Sequence, residues 1–234
     1  MSLPYFLSPD PASGRLDGPE GRHAVSVKRI KPGEHIVLSD GHGTATEVRV
    51  TSTQGKDTLV GEVLTTRFVD PPVPHVTVVQ AIPKGERAEL AVDLAVQGGA
   101  DRIVPWVSQR TVARWPVEKR AKQVEKWRAV AAAAAKQARR AWVPEVTEPV
   151  TTRQLRGMLE GRQALVLHED AQVPLRDIDF APEVFLLVGP EGGIGAEELA
   201  ELGGQAVRLG PEVVRTAAAA FAALNAIGAL TARW

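Results

Sequence analysis

Residues 184–195, Val-Phe-Leu-Leu-Val-Gly-Pro-Glu-Gly-Gly-Ile-Gly, and residues 207–216, Val-Arg-Leu-Gly-Pro-Glu-Val-Val-Arg-Thr, decide the fold. The run Val184 to Val188 is too short for a typical globular helix and has no polar alternation, the pattern of a strand buried on both faces of a parallel sheet. Gly189, Gly192, Gly193 and Gly195 then allow positive φ and let the backbone lie against a ligand without Cβ interference, while Pro190 stiffens the turn. Ala196-Glu197-Glu198-Leu199 opens a helix with acids in its first turn, where the dipole favours them. A second strand and glycine turn follow at Ala206 to Gly210. Two glycine turns closing two apolar strands about twenty residues apart supply a cofactor cleft at the carboxyl edge of a parallel sheet. Two tight turns without a ligand would use the same glycines.

Upstream, strands and helices alternate. Val76 to Ile82 reads as an apolar strand, Glu86 to Gln97 as an amphipathic helix ended by Gly98-Gly99, and Ile103 to Val107 as a strand. Lys119 to Ala141 is expected to be a long helix, Ala164 to Leu167 a strand, and Ala217 to Leu230 a buried helix shorter than a bilayer span. This is an α/β domain with a mostly parallel sheet. Residues 1–70 differ: Glu34 to Leu38, Ala45 to Thr51 and Thr58 to Leu64 read as short strands between turns, the pattern of a small β-barrel. Asp70-Pro-Pro-Val-Pro74 disfavours regular pairing and marks the linker. The expected division is a barrel over 1–70, a linker over 71–75 and an α/β domain over 76–234.

Composition removes several chemistries. The absence of cysteine excludes disulfides, thiolate catalysis and cysteine-ligated zinc. Five scattered histidines without HExxH spacing give no metal site. Neither a G-x-G-x-x-G, a Walker nor a G-x-S-x-G sequence occurs. The amino-terminal stretch lacks the basic region of a secretory signal, and a cytoplasmic protein is expected. Net charge is zero, yet nine of the 28 basic residues fall between Arg114 and Arg140, against two of the 28 acidic ones. Such clustering is the footprint of a phosphate-binding surface, or else of a solvated helix face.

The wording of the glycine loops carries more. Gly189-Pro-Glu-Gly-Gly, Leu209-Gly and Val214-Arg-Thr resemble the signature loops of the bacterial family that methylates N3 of a uridine in 16S ribosomal RNA, within the SPOUT superfamily. Three more elements are similar in order along the chain. These are His23, Val27, Arg29 and Lys31-Pro-Gly-Glu34 near the amino terminus, Ser108-Gln-Arg-Thr-Val-Ala-Arg-Trp115, and Lys136-Gln-Ala-Arg-Arg140 with Pro144. The resemblance implies a trefoil-knotted methyltransferase domain, a preceding PUA-like RNA-binding barrel, S-adenosylmethionine as cofactor and a homodimer. Folding rules disfavour threaded chains, so the knot rests on the resemblance alone. It also implies that Leu167, His168, Gly189, Pro190, Glu191, Gly192, Gly193, Leu209, Gly210, Val214, Arg215 and Thr216 bind the cofactor. Arg22, His23, Lys28, Arg29, Lys31, Lys126, Gln137 and Arg139 are expected to bind RNA. The sequence departs from the family pattern at Ala217 and Ala218, where relatives carry a glutamate and a threonine, at Ala138, where they carry a serine, and at Lys28, the usual leucine position.

Methyl transfer from a sulfonium needs chiefly an in-line nucleophile, a contribution of several kcal/mol from positioning. Uridine N3 carries a proton that must leave, and no residue declares itself the base. Glu191 is the carboxylate of the signature loop; it serves the chemistry, or else caps a helix or pairs with an arginine. Arg110 and Arg140 are placed to hold phosphate or charge on the uracil carbonyls. The expected partner is 16S ribosomal RNA or the small subunit, with no membrane and no metal. A non-catalytic RNA-binding or ribosome-assembly protein, and an enzyme using another adenine cofactor, are the competing expectations.

Overall fold

A computed structural model describes residues 3–233. The chain divides into two compact units, one running up to Pro71 and including Ala135–Val143, the other Pro72–Ala134 and Pro144 onward.

The first unit is built on a five-stranded sheet. Its elements are β1 (Tyr5–Leu7), β2 (Arg15–Leu16), α1 (Gly18–Arg22), β3 (His35–Ser39), β4 (Thr44–Gln54) and β5 (Thr58–Phe68). The strand order is β1-β3-β4-β5-β2, with β1 parallel to β3 and the other pairs antiparallel. Inward residues Phe6, Leu16, Ile36, Leu38, Val48, Val50 and Leu59 form the core, as strand alternation dictates. Gly61 lies where a Cβ would come within 2.2 Å of Val48 Cγ1, so only glycine lets β4 and β5 close there. The basic stretch after α1 is helical: His23–Val27 is one π-helical turn, Lys28 N–H bonds the His23 carbonyl at 2.8 Å, and Ile30 N–H bonds that of Ala24 at 3.0 Å. Arg29, between them, takes φ 56°.

Residues 135–143 belong to this unit through specific bonds. Lys136 pairs with Glu20, the Trp142 indole donates to the Val69 carbonyl at 2.8 Å, and Val143 N–H to that of Gly41 at 2.9 Å.

The second unit comprises β6 (His75–Ala81), α2 (Arg87–Gln97), β7 (Arg102–Val107), most of α3 (Val117–Gln137), β8 (Glu145–Val146), β9 (Val150–Thr151), α4 (Thr152–Leu159), β10 (Gln163–Leu167), β11 (Glu183–Val188), α5 (Ala196–Leu202), β12 (Gln205–Val207) and α6 (Thr216–Leu230). Its sheet runs β12-β10-β11-β6-β7-β8, with β9 also on β7, and every pairing is parallel. Continuous apolar runs fit strands covered on both faces. Val79, Ala81, Val104, Trp106, Phe185 and Leu187 pack with Leu155 and Leu159 of α4 and Leu202 of α5. By alternation, Val78, Ile103 and Leu186 face the opposite side, and α6 packs on β6, β11 and α2. At Gly98 a Cβ would lie 3.1 Å from Phe221, which is how α2 and α6 approach so closely.

The expected Lys119–Ala141 helix stops earlier, at Gln137. Arg139 turns left-handed at φ 56°, and Arg140 N–H bonds the Ala135 carbonyl at 2.9 Å, a Schellman-type end that needs no glycine. Of the strand and glycine turn expected over Ala206–Gly210, the strand is Gln205–Val207, and beyond it Arg208 N–H bonds the Val173 carbonyl at 2.9 Å.

Candidate functional site

The carboxyl ends of three adjacent strands, β12, β10 and β11, open on one cavity of ≈ 650 Å³ within the second unit. Its walls are the loops that follow those strands, with Arg87 and Arg110 beside them. The size is that of a small-molecule or cofactor site, at the sheet edge where α/β folds bind ligands.

The loop after β11 owes its shape to three anchors. Ile194 is buried, and a Cβ on Gly189 would lie 2.8 Å from its Cγ1, so Gly189 makes room for that anchor. Glu191 Oε1 accepts the backbone N–H of Lys84 at 3.2 Å. Arg110 Nη1 donates to the Gly192 carbonyl at 3.1 Å, and a Cβ on Gly195 would come within 3.1 Å of its Nη2. The guanidinium thus lies close against the loop, an approach that the missing side chains of Gly192 and Gly195 ease. Gly193 takes φ 69°, and a Cβ there would meet nothing within 4 Å although the residue lines the cavity. The backbone there is open to the cavity.

Every cofactor candidate read from the sequence lines this cavity: Leu167, His168, Gly189 to Gly193, Leu209, Gly210, Val214, Arg215 and Thr216. So do Arg110 and Glu191, whereas Arg140 does not and groups with the first unit. Glu169, expected with His168 as a neighbour of the cleft, is on the wall too, as are Arg208, Asp170 and Glu212, whose charged side chains the sequence left unmarked because loop position alone does not say which way they point. Ala217 is buried in the first turn of α6 and also lines the cavity. His168 Nδ1 accepts the Asp170 N–H at 3.2 Å, and no cluster able to hold a metal is found among the described residues.

The RNA-binding candidates sit elsewhere. Arg22, Lys28, Arg29 and Lys31 are exposed and His23 half-buried around the π-helical turn, with the His23 ring edge-on to Phe6 at 5.7 Å. Gln137 and Arg139 are exposed at the end of α3. Lys126 is exposed but its ammonium meets Glu89 at 2.6 Å, and Arg128 meets Glu125 at 2.5 Å and Glu148 at 3.7 Å. The basic stretch therefore has acidic partners within the fold, which a one-dimensional charge count misses.

Comparison with known proteins matches two family models in succession along the chain. A family model described as an RNA methyltransferase domain matches residues 70–228, and one described as an RNA methyltransferase PUA domain matches residues 16–64. The ribosomal RNA small subunit methyltransferase E of Mycobacterium tuberculosis is 43% identical across all of this chain and 94% of its own. A structure of ribosomal RNA small subunit methyltransferase E from Neisseria gonorrhoeae, bound to S-adenosyl methionine, is similar at TM-score 0.85 and 29% identity over 98% of both chains. A putative methyltransferase from Legionella pneumophila, in complex with the same cofactor, is similar at TM-score 0.86 and 27% identity, again over 98% of both.

Proposed function

We propose, from the premise that the chain belongs to the RNA methyltransferase family, that it uses S-adenosylmethionine to methylate N3 of a uridine in the 16S RNA of the small ribosomal subunit. The observation that carries this reading is the convergence on one cavity of the loops after β10, β11 and β12, the last two with a Gly-Pro-Glu sequence. When bound there, the cofactor supplies an electrophilic methyl group on a sulfonium. Backbone groups of Gly189–Gly193 and Leu209–Gly210, with Leu167, His168 and Val214–Thr216, hold it. Arg110, at the cavity wall, stabilises negative charge that spreads onto the uracil carbonyls as N3 loses its proton. The base must be unpaired to reach the cavity, because N3 is otherwise engaged in pairing.

The loops after β10, β11 and β12 form the trefoil knot in this reading, and the sheet of the first unit curls into the PUA-like barrel that carries Arg22 to Lys31. Arg140 acts on the substrate from that basic region. The protein works as a homodimer, with Val213, 73% exposed at the cavity wall, covered by the second copy. The test is incorporation of labelled methyl groups into purified small subunits that lack the modification, followed by nucleoside analysis. The expected product is 3-methyluridine. Cofactor binding without incorporation would instead favour a non-catalytic RNA-binding module, a reading that Ala217 and Ala218 motivate.

A further inference from the structure

Glu198, in the first turn of α5, is 0% exposed. Carboxylates are almost never fully buried unless paired, and the contacts of this one are neutral donors. Its Oε1 accepts the Gln109 N–H at 2.8 Å and the Thr152 hydroxyl at 2.6 Å, and Thr152 Oγ1 in turn accepts the Trp106 indole N–H at 3.2 Å. Its Oε2 has no hydrogen-bond partner among the described residues. Burying a carboxyl with one oxygen unsatisfied costs stability, so packing does not account for it.

The arrangement has a geometric product. Gln109 precedes Arg110 in a tight turn closed by Ser108 N–H to Thr111 Oγ1 at 3.1 Å and Thr111 N–H to the Ser108 carbonyl at 3.1 Å. Arg110 extends from that turn across Gly192 and Gly195, and α5, which carries Glu198, begins immediately after Gly195. The contacts close a circuit: loop to Arg110, Arg110 through Gln109 to Glu198, and Glu198 back through its own helix to the loop. We propose that Glu198 is a positioning residue, whose buried carboxyl locks the Arg110 turn in register with the cofactor loop. The proposal rests on the cavity being the methyl-transfer site.

The test is a double-mutant cycle of Glu198→Leu with Arg110→Ala. Leucine fills similar volume and removes the orphaned oxygen but leaves the Gln109 N–H and the Thr152 hydroxyl without their acceptor, two effects of opposite sign, so Glu198→Leu should remain folded. At the same time its kcat on small subunits should fall at least tenfold, with little change in KM for RNA. Glu198→Gln, which keeps an acceptor for Gln109, should stay within about threefold of the parent. In the Arg110→Ala background, Glu198→Leu should cost less than twofold. Parent-like kcat for Glu198→Leu, or losses that multiply across the cycle, would overturn the proposal. If Glu198→Leu does not fold, Thr152→Val, which removes one donor to Oε1, must show a smaller loss that likewise disappears with Arg110→Ala; additivity there overturns it too. The same cycle read by calorimetry with S-adenosylmethionine needs no RNA. A coupled loss of cofactor affinity in a parent that methylates nothing would count against the proposed reaction and for Glu198, whereas additive losses of affinity would sink the Glu198 role.

Discussion

The carboxylate of Glu191 accepts the backbone N–H of Lys84 at 3.2 Å, tying the loop after β11 to the loop that follows the adjacent strand β6. An oxygen engaged in that way shapes the cavity wall, and a glutamine carbonyl accepts the same bond. Glu191→Gln is therefore expected to lower kcat by less than about tenfold, because loss of a general base typically costs two to four orders of magnitude. Steady-state methylation of small subunits measures it, and a loss above a hundredfold would make Glu191 the base after all.

Gly193 combines φ 69° with open space on its Cβ side at the cavity wall. An alanine there meets no protein atom but carries a left-handed penalty of about 1–2 kcal/mol and projects a methyl group into the proposed cofactor site. Gly193→Ala should weaken S-adenosylmethionine binding at least tenfold by calorimetry while the protein remains folded by circular dichroism. Undiminished affinity would remove this loop from the cofactor site.

Much of this site was legible because its signals are local. Val184 to Val188 declares a buried strand by composition, and the glycines after it declare a loop that must come close to something. The bonds that shape the loop were not legible. Arg110 to Gly192 spans 82 residues and Gln109 to Glu198 spans 89, so neither leaves a periodic trace. Glu198 reads in the sequence as a first-turn acid like Glu197, and burial alone separates them. The end of α3 escaped for another reason: left-handed closure by Arg139 replaces the glycine that normally announces a helix terminus.

Arg233 and Asp101 form a buried ion pair at 2.7 Å, their side chains 5% and 7% exposed, and the guanidinium also bonds the carbonyls of Gly99 and Pro74. Removing one partner strands the other charge away from water, a loss of about 3–5 kcal/mol. Arg233→Ala should therefore lower the unfolding free energy in urea by roughly that amount. A change under about 1 kcal/mol would show that the pair contributes no more than a surface bridge.

Along α3, Lys126 is engaged by Glu89, whereas Arg120 and Lys122 are exposed and meet no acidic side chain among the described residues. A cation that already has a partner releases fewer counterions when RNA arrives. Arg120→Ala and Lys122→Ala should each flatten the slope of log affinity against log salt by about 0.7–0.9, and Lys126→Ala by less than half as much. Equal slopes for all three variants and the parent would make this helix a solvated face.

Arg29 and Arg139 are the non-glycine residues with positive φ among those described, and both are exposed, closing a helical turn where glycine is ordinarily preferred. Holding an arginine left-handed costs about 1–2 kcal/mol, a strain that persists where the side chain serves a purpose. Both arginines lie in the first unit, among the residues expected to bind RNA. Arg29→Gly and Arg139→Gly should then act with opposite signs on two measurements. Unfolding free energy should hold or rise by up to about 1 kcal/mol, since relief of strain is partly offset by the added freedom of the unfolded chain. RNA affinity should fall, with the salt slope reduced by about 0.7–0.9 for each phosphate that is no longer neutralised and S-adenosylmethionine affinity unchanged. If both variants are less stable and bind RNA as the parent does, the left-handed arginines serve the fold, and recognition by this unit must come from its other candidates, Arg22, His23, Lys28, Lys31, Gln137 and Arg140.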